Sequence, residues 1–405
     1  MMRLSSLCVS LLSVTLLLCG GSTLHAQEPE KSDVFVAGEG GVSLYRIPGT
    51  VVTPRGTVLA YCEARKNSRS DWGEIEVHLK RSTDGGRTWS KASAIAHRSE
   101  RIAGKTGNEK TDSEQTVNNP VAIVDTVDGS VQFLYCVNYS RCFSIESRDD
   151  GLTWSAPIEI TQVFEAFRPH VDWKVLATGP GHGIQLRSGR LVVPVWLAYG
   201  GVRDHHPSVT ATIYSDDHGK TWVAGEVAVP DRISAGWHVR DGQPAREVMD
   251  VVDPNESILA ELSDGTVLLV TRSESKASRK LLTRSKDGAS AWSSPVFHEQ
   301  LWEPICMASL LAVPDRRAIA FSNPRSLAFN KAGMEIPGGR GERKNLSLTI
   351  SLDDGSTWSA PRTLEAGASA YSDLAQLPDG TLVCFYEAGN VLRFARIPYE
   401  WLTAK

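Results

Sequence analysis

Ser82-Thr-Asp84-Gly-Gly86-Arg-Thr88-Trp89 is one copy of an octapeptide, Ser-x-Asp-x-Gly-x-Thr-Trp, and its recurrence decides the fold. It returns at Ser147 to Trp154, at Ser215 to Trp222, and at Ser351 to Trp358. A worn copy, Ser285-Lys-Asp287-Gly-Ala289-Ser-Ala291-Trp292, stands between the last two. The copies start 65, 68, 70 and 66 residues apart, a spacing that marks a repeat architecture. The octapeptide has the chemistry of a tight hairpin turn. Its Ser and Asp side chains suit capping of backbone N–H groups, its Gly a positive φ, and its Trp is expected to fold under the turn. These aspartates read as structural. The loops lack the acidic residue at the twelfth position that a calcium hand requires.

A second element recurs once per unit, a turn followed by an apolar run. It appears at Arg55-Gly56, Asp128-Gly129, Ser188-Gly189, Asp264-Gly265, Pro314-Asp315 and Asp379-Gly380. Six such turns against five octapeptides, with short β-rich runs between them and no long amphipathic helix, predict an all-β fold. The economical architecture is a six-bladed β-propeller of four-stranded antiparallel blades. One blade lacks the octapeptide, and the two chain ends are expected to share strands where the ring closes. Residues 35–405 read as this one domain, 27–34 as a polar flexible segment, and Arg325 to Arg343 as a long loop.

The chain of 405 residues has a formal net charge of −4. With no basic excess, nucleic acid is not an expected partner, and an anionic ligand has to be held by local arginines. Arg3 and the apolar run Leu4 to Leu18, followed by Leu24-His25-Ala26, read as a signal peptide over 1–26 rather than a membrane span. That predicts a secreted or periplasmic protein, with lipidation at Cys19 as a minor branch. Cys62, Cys136, Cys142, Cys306 and Cys384 form no disulfide framework. Cys136 with Cys142 is one candidate bridge, and buried free thiols are the other reading. No cysteine or histidine cluster suggests a metal, and a monomer is expected.

Short motifs follow in order along the chain. They are Tyr45-Arg46-Ile47-Pro48, Glu63-Ala64-Arg65, Ser70-Asp71, Asn119-Pro120, Gly179 to Leu186, Asn255-Glu256, Thr271-Arg272, Ser322-Asn323-Pro324, Arg343, Ala370-Tyr371-Ser372 and Tyr386-Glu387. This set, with the octapeptide as the Asp-box, resembles the bacterial-type exo-α-sialidases from about residue 34 to 399. The resemblance implies retaining hydrolysis of terminal sialic acids from glycans, glycoproteins or glycolipids, with no metal or organic cofactor. It assigns Arg46, Arg272 and Arg343 to the substrate carboxylate, which suits the planar guanidinium fork, and Glu387 to support Arg46. Arg343 is chosen over Arg340 because it stands eight residues before Ser351, ahead of an alternating strand. Sialidases use a tyrosine nucleophile. The match makes Tyr371 that nucleophile and Glu256 its base. Asp71 matches the general acid and base, whose pKa burial or a nearby tyrosine would have to raise. Arg65 and Asn119 match positions that read substrate hydroxyls.

Two rival readings share this scaffold. One is a hydrolase of another 2-keto sugar acid, with altered specificity around Glu303 to Ser309. Trp196, Trp237 and Trp302 are candidates for lining its pocket, against a reading as core. The other is a sugar-binding propeller without catalysis, which has no need of Tyr371, Glu256 and Asp71 together.

Overall fold

A computed structural model describes residues 27–67, 69–96, 114–201, 204–232, 250–334, 336 and 341–404. Residues 1–26, the expected signal peptide, lie outside the described residues, as do Trp237 and Arg340. No helix among the described residues is long and apolar enough to cross a membrane.

Six sheets form the blades of a propeller, antiparallel apart from Gly181–His182, which pairs in parallel with Val121 and Ala122 of blade 2; Ile184–Gln185 adds a fifth strand to blade 3. Blade 1 consists of Leu44–Val52, Val58–Arg65, Ile75–Ser82 and Ser93–Ala96, running outward. Blade 2 holds Val117–Val124, Val131–Val137, Arg141–Ser147 and Ile158–Glu159. Blade 3 holds Val175–Thr178, Leu191–Ala198, Ser208–Ser215 and Val223–Val229. Blade 4 is Ser257–Glu261, Val267–Thr271, Arg279–Ser285 and Val296–Trp302, and blade 5 is Ser309–Val313, Ala318–Pro324, Lys344–Ser351 and Arg362–Ala368. Blade 6 takes Ser372–Gln376, Leu382–Ala388 and Val391–Ile397 from one end of the sequence and Glu30–Val36 from the other.

That last strand corrects the reading of residues 27–34 as a flexible lead-in. From Glu30 onward the segment is the outer strand of blade 6, pairing Glu30 with Arg396 and Val36 with Val391. Its polar composition is that of an edge strand, where ion pairs such as Asp33–Arg393, 2.7 Å, replace apolar burial. A two-ended blade also explains the missing octapeptide. All five copies join the third strand of a blade to its fourth, and blade 6 has no such connection. In its place the short helix Tyr399–Thr403 inserts Trp401 against Leu346, Leu348 and Ile350 of blade 5.

The octapeptide turns are built as their chemistry predicts. Ser82 Oγ accepts from the Gly86 amide at 2.8 Å, and Asp84 takes the Thr88 amide and hydroxyl at 2.9 and 2.6 Å. The worn copy closes a tighter turn, with Ser290 replacing the threonine on Asp287. Each turn also clasps the preceding blade. A long side chain there donates to a carbonyl of the turn: Arg396 to Gly85 O and Arg81 to Asp150 O, both 2.6 Å, and Gln132 to His218 O, 3.1 Å. Arg190 and Arg284 do the same to Asp287 O and Asp354 O, both 3.2 Å.

At the axis, the fully buried Asp373 of blade 6 ties the ring across its centre. It accepts from Thr50 N of blade 1 at 2.8 Å and Ser309 Oγ of blade 5 at 2.9 Å, and pairs with His182 Nδ1 at 2.7 Å. Burial works against charge on His182, yet Asp373 outweighs it and raises the imidazole pKa. The five described cysteines are free and buried. Cys136 and Cys142 are cross-strand partners in blade 2, but no bridge forms.

The clasp makes a stability prediction. A Cβ at Gly86, φ +89°, would stand 2.2 Å from the Phe394 ring of the neighbouring blade, whereas Gly129, φ +76°, has open space around it. Both Gly→Ala changes carry a positive-φ cost of about 1–3 kcal/mol. Gly86→Ala should add roughly 1–3 kcal/mol of overpacking, so its urea midpoint should fall below that of Gly129→Ala. Equal midpoints would refute the clasp.

Candidate active site

The site grows from a backbone device repeated around the axis. In four blades the residue before a proline takes a positive φ: Ile47 at 58°, Asn119 at 52°, Gly179 at 41° and Asp253 at 48°. Positive φ on a β-branched residue such as Ile47 is strained, so something must hold it. In three blades a carboxylate accepts that residue's amide. Glu387 takes Ile47 N at 3.1 Å, Glu63 takes Asn119 N at 3.0 Å, and Asp231 takes Asp253 N at 2.8 Å. Glu387 also receives Arg46 Nε at 3.0 Å and Nη2 at 3.4 Å. The glutamate expected beneath the first arginine is there, and it fixes the backbone as well as the charge.

Two ladder extensions supply the rest. Beyond the formal strands of blade 4, Arg272 N donates to Glu256 O at 2.9 Å and Asn255 N to Arg272 O at 3.0 Å. In blade 6, Glu387 N donates to Tyr371 O at 2.9 Å. Glu256 therefore stands beside Arg272, and Tyr371 beside Glu387, at the axial end of each blade. Arg343 enters just before its strand, with Nη2 donating to Ile305 O at 2.5 Å.

These elements converge on Tyr371. Its hydroxyl donates to the Glu256 carboxylate, 2.7 Å from each oxygen, and accepts from Arg272 Nη1 at 2.8 Å. Arg272 also pairs directly with Glu256. The Arg46 and Arg343 guanidinium carbons each stand 5.1 Å from the Tyr371 ring centroid. Among the described residues no carboxylate pairs with Arg343, and Arg272 Nε is buried without a partner. The three guanidinium groups thus surround one phenol and retain capacity for an anion. Burial first, and then the Glu256 charge, push the Tyr371 pKa far above the ordinary phenol value. Burial pushes Glu256 up, but Arg272 and its hydrogen bonds prevail and the carboxyl lies below its usual value. The resting proton is therefore on the tyrosine, with an ionised acceptor against it.

Asp71 reaches the same cluster from the loop after Val58–Arg65. Its Oδ1 lies 2.7 Å from Arg65 Nη2 and 3.7 Å from Arg46 Nη1. The expected upward shift is not found. Burial does raise its pKa, but Arg65 and Arg46 overcome burial and hold the carboxyl below its ordinary value. Arg65 is 1% exposed, with further bonds to Glu63 at 2.8 Å and to Arg69 O at 2.8 Å. Its fork is turned toward Asp71 and Glu63. Asn119 is buried, its side-chain oxygen accepting from Asn118 Nδ2 at 2.9 Å.

Of one aromatic cluster near the site, sequence reasoning named only Trp196, as a candidate for lining the pocket, and missed His205. His205 packs on Trp72 at 5.3 Å, Tyr139 at 4.8 Å and Trp196 at 5.3 Å between ring centroids. Its Nε2 is buried without a partner among the described residues. Burial lowers its pKa, so the imidazole is neutral despite the nearby Asp71 and Glu256. Trp196 joins this cluster as a buried residue, while Trp302 stacks under Arg325 at 4.5 Å. For His205 itself the sequence offered no signal, although Trp72 stands directly after Asp71. Around Glu303, the carboxylate forms a buried pair with Lys280 at 2.8 Å and accepts from Ser273 N and Cys306 N, bracing the Arg272 segment. Behind it His206 lies 3.4 Å from Asp253 and 3.8 Å from Glu274. The Asp253 carboxylate beside it raises its pKa, while His206 Nδ1 is buried without a hydrogen-bond partner among the described residues.

The fold and site define a class, an Asp-box propeller with a three-arginine cluster around a buried tyrosine. Residues 51–384 match the BNR repeat-like domain, and the chain belongs to that family. It is 28% identical over 402 residues to a sialidase of Micromonospora viridifaciens, a match covering 95% of this chain and 55% of that protein. A sialidase of Bacteroides fragilis is 28% identical over 389 residues, 87% of this chain and 61% of that one. Among solved structures, the Hadza microbial sialidase Hz136 superposes with a TM-score of 0.73 at 26% identity, covering 91% of this chain and 68% of that one. The chain spans between half and two thirds of the length of the two curated relatives.

A depressed carboxyl pKa stabilises the folded state above the unfolded value and loses that contribution as pH falls through the folded value. Glu256 is such a group. The stability advantage of the native protein over Glu256→Gln should therefore shrink as pH drops from about 6 to about 3. Urea midpoints of both proteins across that range measure it, and a constant difference would contradict the assigned charge.

Proposed function

We propose that the protein is an exo-α-sialidase that removes terminal sialic acids from glycoconjugates with retention of configuration. The observation that carries this reading is the Tyr371 hydroxyl, held 2.7 Å from both oxygens of Glu256 and 2.8 Å from Arg272, inside the arginine cluster. A sugar whose anomeric carbon bears a carboxylate needs cationic forks beside the reacting carbon. It also repels a carboxylate nucleophile, and a neutral phenol avoids that repulsion. As the Tyr371 oxygen bonds to the anomeric carbon, its proton passes to Glu256, and Arg272 stabilises the developing phenolate. Asp71 donates a proton to the departing glycosidic oxygen. Water then attacks the tyrosyl intermediate with Asp71 as base, and the Tyr371 oxygen recovers its proton from Glu256. A sugar-binding propeller has no use for a phenol paired with a base, which favours catalysis. The leader read at residues 1–26 suits a secreted or periplasmic enzyme meeting extracellular glycans.

The test is hydrolysis of a fluorogenic aryl sialoside and of a sialyl-galactoside. Tyr371→Phe should release neither product at more than about a thousandth of the native rate. Asp71→Asn should cost about 10²–10⁴-fold in kcat on the galactoside and much less on the aryl substrate, whose leaving group departs without protonation. Native inactivity on both substrates, or full activity of Tyr371→Phe, would reject the proposal.

A further inference from the structure

A general acid must enter the reaction protonated, yet Asp71 rests as a carboxylate. One of its oxygens bridges Arg65, at 2.7 Å, and Arg46, at 3.7 Å. Arg46 belongs to the cluster proposed to bind the substrate's anion, so in the resting site Asp71 already supplies negative charge to that cluster. The other groups that act on it do not change its state. His205 is held neutral by burial, and Tyr139 stays protonated because burial raises its pKa. Glu63, on the same strand as Arg65, is occupied by Arg65 and by Asn119 N.

We propose that Asp71 is a resting stand-in for the substrate carboxylate, parked by Arg65 as a positioning residue, and that the arriving sugar acid takes over Arg46 and so makes Asp71 bind the proton it later donates. The inference rests on the sialidase reading and adds a coupling between anion binding and proton uptake. The physical cause is charge balance. The incoming carboxylate neutralises Arg46 and places a second negative charge near Asp71, and both effects favour its neutral form. Arg65, tied to Glu63 and Arg69 O, stays in place and keeps the carboxyl aimed while its charge changes. The proton comes from solvent as the ligand binds. It leaves with the alcohol when the anomeric C–O bond breaks, and Asp71, again a carboxylate, takes the next one from the attacking water. No co-reactant beyond water is needed.

The uptake can be measured without turnover. The probe is 2,3-didehydro-2-deoxy sialic acid, which carries the carboxylate but no leaving group, titrated calorimetrically in buffers of different ionisation enthalpy. The native protein should take up a proton on binding, nearest one per site at about pH 5 and falling as pH rises toward 7 through the raised pKa of liganded Asp71. Asp71→Asn and Asp71→Ala should bind the probe with proton uptake near zero. Arg65→Lys, which keeps the positive charge but loses the fork, should still take up a proton with its pH profile displaced. Binding by the native protein without uptake, or uptake that persists in both Asp71 variants, overturns the inference. An Arg65→Lys profile that overlays the native one removes Arg65 from it. Absence of any native binding overturns the sialidase reading itself, an outcome distinct from binding without protons.

Discussion

Like charges do not share a small buried volume unless opposite charges hold them there, and the protein gathers Arg46, Arg272 and Arg343 around one phenol. Each answer to that problem does a second job. Glu387 neutralises Arg46 and clamps the strained amide of Ile47. Glu256 neutralises Arg272 and accepts the Tyr371 hydroxyl. Asp71 meets Arg65 and Arg46 and so starts as a charged group. Two of these counter-ions, Glu256 and Asp71, are also the groups that move protons in the proposed reaction.

The propeller makes this concentration of charge feasible. Its blades present their inner strands end-on to one axis, so that ladder extensions in blades 4 and 6 and a bulge in blade 1 meet although their residues are far apart in sequence. The ring is rigid because its links lie both at the rim and at the centre. Octapeptide turns hook five of the six blades to the one before, and Asp373 joins blades 1, 5 and 6 and His182 at the axis. Where the chain ends interrupt the pattern, Trp401 fills the place of the missing turn. A site whose partners must be held to a few tenths of an ångström benefits from such a frame.

The coexistence of a high Tyr371 pKa and a low Glu256 pKa is the electrostatic signature of a poised pair rather than a spent one. The proton rests on Tyr371, against an ionised Glu256. His205, whose pKa burial lowers, and the rings of Trp72, Tyr139 and Trp196 around it form an uncharged cluster near Asp71 and Glu256.

Local chemistry explains what was legible in the amino-acid order. The octapeptide closes on itself within four residues, as Asp84 with Thr88 shows, so its sequence alone specifies the turn, and its recurrence specifies the ring. The arginines, Tyr371, Glu256 and Glu387 were legible because each sits inside a short motif. The outer strand at Glu30–Val36 was not, since an edge strand's polar pattern looks like that of a loop until its partner is known. Nor was the hub at Asp373, which resembles any other strand aspartate. The ionisation of Asp71 was misread for the same reason. Its neighbours Arg46 and Arg65 stand on two different strands, and only the folded chain sets their distances. Sequence determined which side chains are present and which turns repeat, because those depend on contacts a few residues long. Tertiary structure decided which of them carry charge, because Coulomb energy depends on separation and burial in space.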